Sequence, residues 1–213
     1  GINTQILDKK LDFCILKPQM ETKNTKWLLL TVLSLIWGSS FILIKLGLNG
    51  LSALQVGALR IFSGAIFLIA IGYKTLPTIP SFKWKYVAMT ALFGNFFPAF
   101  LFAIAETKID SSISAILNSL TPLNTLLLGF LFFKMPVKNN QFIGVFIGLI
   151  GSSILIFNGA AAHPNQNYYY AILVIIASIC YATNVNLVKK YLSDSSPLTI
   201  STGNSTVLLL PAW

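Results

Sequence analysis

Long apolar runs, broken at fairly even intervals by turn residues, dominate this chain. A helix needs about 20 mostly apolar residues to cross a bilayer. Six runs approach or reach that length, over 27–48, 52–72, 85–105, 113–133, 141–158 and 169–188. A seventh opens near Leu198 and is still apolar at Trp213. The breaks carry turn chemistry: Asn49-Gly50, Pro77 with Pro80, Asp110-Ser111, Pro136 with Asn139-Asn140, Pro164-Asn165 and Ser195-Ser196-Pro197. The first run follows lysines, as a signal peptide's would, but it outruns the apolar region of such peptides and no A-x-A cleavage pattern follows. The pattern predicts an all-α polytopic membrane protein.

Composition agrees. Of 213 residues, 55% are hydrophobic and 10% charged, against about 25% charged in soluble chains. The mean hydropathy is +0.75. A soluble fold of this size could not hide so much apolar surface, which excludes a soluble enzyme, a disulfide scaffold and a disordered linker. Cys14 and Cys180 are too few for a disulfide framework. The net charge of +9 reads as an orientation signal rather than as a nucleic-acid footprint. With the N-terminus inside, twelve lysines (9, 10, 17, 23, 26, 74, 83, 85, 134, 138, 189 and 190) fall on the cytoplasmic side and only Lys108 on the other. Residues 1–26 form an N-terminal cytoplasmic tail without an expected fold. Its first 19 residues are either upstream of a native start at Met20 or a genuine tail.

A shift of 144 residues lays 27–54 over the sixth span with seven identities: Leu29, Ser34, Leu43, Lys45, Leu48, Ser52 and Leu54 each meet the same residue type. Trp37 then lies over Tyr181. Five spans separate the two copies, so they run in opposite senses, as the inverted repeats of many secondary transporters do.

Four segments resemble the EamA-like family of the drug/metabolite transporter superfamily. They are Trp37-Gly38-Ser39-Ser40-Phe41, Ala58-Leu59-Arg60, the stretch from Ser111-Ser112-Ile113-Ser114-Ala115 to Leu120-Thr121-Pro122-Leu123, and Gly144 to Gly151. The resemblance runs from about Lys26 to the C-terminus. It implies about ten spans in two inverted five-helix repeats, both termini cytoplasmic, and movement of small organic solutes. The chain departs from the family pattern in carrying Lys134-Met135-Pro136 where Gly-Glu is frequent. Residues 27–158 would form the first repeat, and 169–213 the start of a second that ends near ~302 in a complete chain. On that reading the 213 residues alone do not complete a transport path.

The candidate substrate-binding residues are Arg60, Trp37, Ser39, Ser40, Asn95, Asn118, Thr121, Pro122, Tyr181 and Asn184. Arg60 is the one charge deep in a span. Such a charge costs about 2.5–3.5 kcal/mol on insertion scales and marks function by default. It would oppose a carboxylate-bearing solute, or else serve as a structural cation. Trp37, Ser39 and Ser40 sit mid-span and either wall a cavity or pack. Asn118, Thr121 and Thr125 share a helical face, and Pro122 strips the Asn118 carbonyl of its helical donor. Asn95 with Pro98 repeats that theme more weakly. Tyr181 and Asn184 share a face of the sixth span. Lys45 would snorkel to the interface, and Glu106 and His163 read as solvated loop residues. Gly144, Gly148 and Gly151 form a small face for close internal helix packing, or for a homodimer seam.

No metal-ligand cluster, HExxH, GxSxG or phosphate loop occurs, so neither catalytic residues nor a cofactor are expected. The reading is a secondary transporter or exporter of small polar metabolites, in a bacterial inner membrane, with the lipid bilayer and a small-molecule substrate as partners and no nucleic acid. The alternatives are a membrane-embedded enzyme and a non-transporting fragment that serves only in helix–helix interaction.

Overall fold

The computed structural model describes residues 23–136, 139–162 and 167–209; Cys14, His163 and most of the N-terminal tail lie outside them. Within that range the chain is helical, with no strand. Helix α1 (Lys23–Gly47) begins four residues before the expected span, so the last part of the tail is helical. Helix α2 (Ala53–Gly72) is started by a capping box. The Ser52 hydroxyl accepts from the Gln55 N–H, while the Gln55 side chain accepts from the Ser52 N–H at 2.8 Å.

The third span is not a plain helix. It runs as α3 (Trp84–Ala91), a π-helical stretch at Leu92–Phe96, and α4 (Phe97–Ala105). Pro98 explains the irregularity, because its missing N–H deprives the Gly94 carbonyl of a partner and its ring crowds that carbonyl. The fourth span is the kinked helix expected: α5 (Ser111–Asn118) and α6 (Thr121–Leu131) flank a turn at Ser119–Leu120 whose backbone stays in the right-handed helical region, within one span over Ser111–Leu131. Pro122 again accounts for the kink. Helices α7 (Asn139–Ala162), α8 (Ala171–Tyr191) and α9 (Pro197–Leu209) follow. Among the described residues, five helical stretches are long and apolar enough to cross a membrane, and Asn140–Ile154 is a shorter apolar helix.

Residues up to Ser40 and residues from Phe41 onward form two compact units. In the first, the side chains of Trp27 to Ile36 are largely exposed, as an apolar helix in lipid requires. In the second, the principal core joins Ile44, Val56, Phe102, Ile109, Ile113, Val174 and Ala177. Phe41 meets Phe102 edge-on at 5.4 Å. A smaller cluster of Ile79, Val87, Leu192 and Ile200 sits where α3 and α9 begin. Beside it Tyr86 stacks on Tyr191 at 4.2 Å, and the buried Lys83 ammonium pairs with the exposed Asp194 carboxylate.

The expected close packing at Gly144, Gly148 and Gly151 is not made among the described residues. Nothing lies within 4 Å of where their Cβ atoms would be. Close approach falls elsewhere, at Gly57 against Phe100 and at Gly72 against Thr202.

Candidate functional site

Arg60 lies on α2 two turns past its cap, and its side chain is half-buried. It lines a cavity of about 130 Å³ walled by Gly64 and Leu68 of α2, Gly94 and Asn95 of the π-helical stretch, Ala99 of α4, Tyr181 of α8, and Ser205 and Leu208 of α9. Arg60 and Tyr181 face the same cavity, and the Arg60 Nη1 is buried without a hydrogen-bond partner. A buried cation with an idle donor is costly unless something satisfies it. A planar guanidinium matches a carboxylate, which two parallel N–H groups can grip.

The π-helical stretch shapes this wall. One extra residue per turn swings Asn95 to the cavity, and the chain bulges toward α8. Gly94 permits the contact, since a Cβ there would lie 2.6 Å from the Asn184 amide nitrogen. Asn184 Oδ1 is buried and, like Arg60 Nη1, unpartnered. A cation's donor and a neutral acceptor therefore stand idle in one polar region, the arrangement that an amino acid or a small organic acid would satisfy.

A second polar seam joins the kinked fourth span to α8. Asn124 donates to the Ser178 hydroxyl at 2.7 Å, and the buried Asn186 donates to the carbonyls of Thr125 and Ala182 at 3.0 and 2.9 Å. Here Thr121 donates to the Asn118 carbonyl at 2.7 Å and Thr125 to the Thr121 carbonyl at 2.8 Å. The carbonyl freed by Pro122 is thus satisfied within its own segment.

The EamA-like transporter family model matches residues 25–157, more than half of the chain. The chain belongs to the EamA-like transporter family. Among relatives of this EamA-like protein, a transporter of uncharacterized function from Archaeoglobus fulgidus is 26% identical over 86% of this chain and 64% of its own length. The uncharacterized inner membrane transporter YedA of Escherichia coli K12 is 28% identical over 72% of this chain and 49% of its own. A probable amino-acid metabolite efflux pump of Salmonella typhimurium is 26% identical over 57% of this chain and 39% of its own. The chain thus spans about half to two thirds of the first curated relatives it matches. No solved structure matches it.

Of the EamA-like chain's candidate residues, the cavity gathers Arg60, Asn95 and Tyr181, with Asn184 against its glycine wall. Asn118, Thr121 and Pro122 do not line it. Trp37, Ser39 and Ser40 belong to the N-terminal unit, where Trp37 is 59% exposed, Ser40 half-buried, and the Ser39 hydroxyl donates to the Ile36 carbonyl at 3.0 Å. Ser205 is a cavity residue that sequence reading missed. Its signal was a hydroxyl-rich stretch, Thr199 to Thr206, inside an apolar run.

Two further expectations change. Lys45 does not snorkel outward. Its ammonium donates to the carbonyls of Glu106 at 2.7 Å and Ile109 at 3.1 Å, where the C-terminal end of α4 favours a cation. Glu106 is not solvated: it is 0% exposed, and both carboxyl oxygens lack a hydrogen-bond partner. Burial raises its pKa from the ordinary glutamate value to about 8, against the pull of Lys45 and Arg60.

Proposed function

We propose that this chain belongs to a secondary transporter or exporter of small polar organic metabolites, amino-acid-like or drug-like, that works by alternating access, with the Arg60 cavity as part of its solute site. The observation that carries this reading is the idle, buried Nη1 of Arg60 on the wall of a polar cavity. Arg60 holds a carboxylate, and Tyr181, Asn95, Asn184 and Ser205 supply neutral polar contacts.

The inverted-repeat reading, with a first repeat over 27–158 and a second from 169, draws support from where the helices start and stop. Helix α1 ends at Gly47 and α8 at Tyr191, and α2 begins at Ala53 and α9 at Pro197; each pair is 144 residues apart. The caps agree as well. Ser52 accepts from the Gln55 N–H at 3.3 Å, and 144 residues on Ser196 accepts from the Thr199 N–H at 3.1 Å. In inverted-repeat transporters, one half rocks against the other around a site near the midplane. The lysine asymmetry supports a cytoplasmic N-terminus, and the inner membrane transporter YedA among its relatives supports a bacterial inner membrane.

The test is counterflow in sealed vesicles by the whole transporter to which this chain is proposed to belong, with a mixed pool of labelled amino acids and small organic acids. Wild type exchanges at least one of them. Arg60→Ala loses the exchange while it still inserts and folds, and Arg60→Lys keeps part of it. Flux that survives Arg60→Ala removes Arg60 from the site. A folded wild type with no flux across the pool refutes the transporter reading.

A further inference from the structure

Glu106 is a second buried charge-bearing group that the solute site does not use. It follows α4 directly, one residue past the third span, at the end of the helix that also lines the Arg60 cavity. It is fully buried beside core residues Phe102, Ala105 and Ile109, and neither carboxyl oxygen has a hydrogen-bond partner. Lys45 does not neutralise it by direct contact, because that ammonium is committed to two backbone carbonyls. A buried, unpaired carboxylate is costly, and the cheapest remedy is a proton.

The Lys45 ammonium from α1 sits on the Glu106 backbone carbonyl, and Tyr181, which shares the cavity of the Arg60 guanidinium from α2, stacks on Phe102 one turn before Glu106. On its own stretch of chain, Lys108 is exposed and Asp110 half-buried. Helix α8 brings the buried Cys180 and Tyr181, and Tyr181 lines the same cavity as Arg60.

We propose that Glu106 is a reversible proton site whose charge sets how strongly Arg60 holds an anion. Protonated, Glu106 leaves the field of Arg60 to the solute. Ionised, it becomes a competing counter-charge in a poorly solvated region, where charges interact strongly. Linkage is reciprocal, so an anion at Arg60 must raise the proton affinity of Glu106 by the factor that protonation raises anion affinity. Proton and anionic solute then bind together. The buried titration supports this, since its midpoint of about 8 lies where modest pH changes move the proton on and off. The inference rests on Arg60 as an anion site.

The experiment uses the whole chain in lipid nanodiscs, with acetate as the probe. Infrared difference spectra read the carbonyl stretch of a protonated buried carboxyl group as pH is varied. Wild type shows a band that titrates near pH 8 and is missing in Glu106→Gln. Saturating acetate moves the midpoint up by about 0.7 pH unit or more, a fivefold or larger coupling. Arg60→Ala abolishes that movement, and Glu106→Gln binds acetate with an affinity independent of pH. Titration in the ordinary glutamate range overturns the proposal. So does a midpoint that acetate leaves in place while acetate still binds through Arg60; that result spares the solute-site reading. Absence of acetate binding at every pH, in wild type and Glu106→Gln alike, overturns both.

Discussion

Gly94 and Gly64 line the same cavity, and an alanine at each meets opposite surroundings. At Gly64 an added Cβ finds nothing within 4 Å. At Gly94 it lies 2.6, 2.7 and 3.0 Å from three atoms of the Asn184 side chain. Ordinary contact begins near 3.4 Å, so α8 or the Asn184 amide must retreat by about 0.8 Å. The Cγ of that half-buried side chain itself lies at 2.7 Å, so turning the amide alone leaves the contact and α8 or the Asn184 side chain as a whole must shift. Overpacking of this kind costs about 1–3 kcal/mol. Both substitutions share the gain of replacing glycine in a helical stretch, about 0.5–1 kcal/mol. The difference between the two variants therefore isolates the clash. Reversible unfolding in mixed micelles of mild detergent and dodecyl sulfate measures it. We expect Gly94→Ala to fall about 1–3 kcal/mol below Gly64→Ala, and to lose anion binding that Gly64→Ala largely keeps. Equal stabilities would mean that α8 does not press on the π-helical stretch, and the account of this wall would be wrong.

The remaining expectations concern charge. Lys45→Met strips the Glu106 and Ile109 carbonyls of a charged donor and should cost about 1.5–3 kcal/mol per bond in the same unfolding assay. Glu106 binds its proton more tightly folded than unfolded, so its contribution to stability is complete below the ordinary glutamate pKa of 4.5. That contribution falls as pH rises toward about 8; unfolding against pH should show the decline in wild type and a flatter profile in Glu106→Gln. Asp194 has the opposite sign. The hydrogen bond from Lys83 holds its pKa below the ordinary 3.8, so the pair contributes above that value and is lost as pH falls through the lowered one. Asp194→Asn should speed hydrogen exchange around 192–196. The effect should shrink in high salt because Asp194 is exposed; an increment unchanged by salt would count against the ion pair.

Much of the fold was legible because the deciding signals are local. Ser52 with Gln55 is a cap written into four consecutive residues, and Asn49-Gly50 stops the preceding helix where apolar periodicity also ends. Proline positions were legible but their consequences were not. Pro98 and Pro122 each remove one helical donor, yet one yields a π-helical stretch and the other a turn that kinks the span. The outcome depends on what the freed carbonyl can find. At Asn118 a threonine three residues on donates to it, so the helix kinks without leaving a carbonyl unpaired. At Gly94 no such hydroxyl is adjacent, and the missing side chain lets the backbone bulge onto α8 instead.

Glu106 marks the limit of reading along the chain. Its neighbours Thr107, Lys108 and Asp110 are polar, so local pattern gives a solvated loop. Its burial is decided by residues distant in sequence. Lys45, 61 positions earlier, is drawn to the α4 terminus by carbonyls that every helix end leaves unpaired. In reaching them it brings down the apolar end of α1, where Ile44 closes over the core. The carboxyl group is thereby sealed beside a lysine that it does not touch. Arg60 shows the complementary case. Its rarity in an apolar run flags it at once, but Tyr181 and Ser205, which give it a chemical setting, come from more than a hundred residues away. Sequence identifies the costly group in a membrane; only the fold shows whether the cost is met by protein, as for Lys45, or left to a ligand or a proton, as for Arg60 and Glu106.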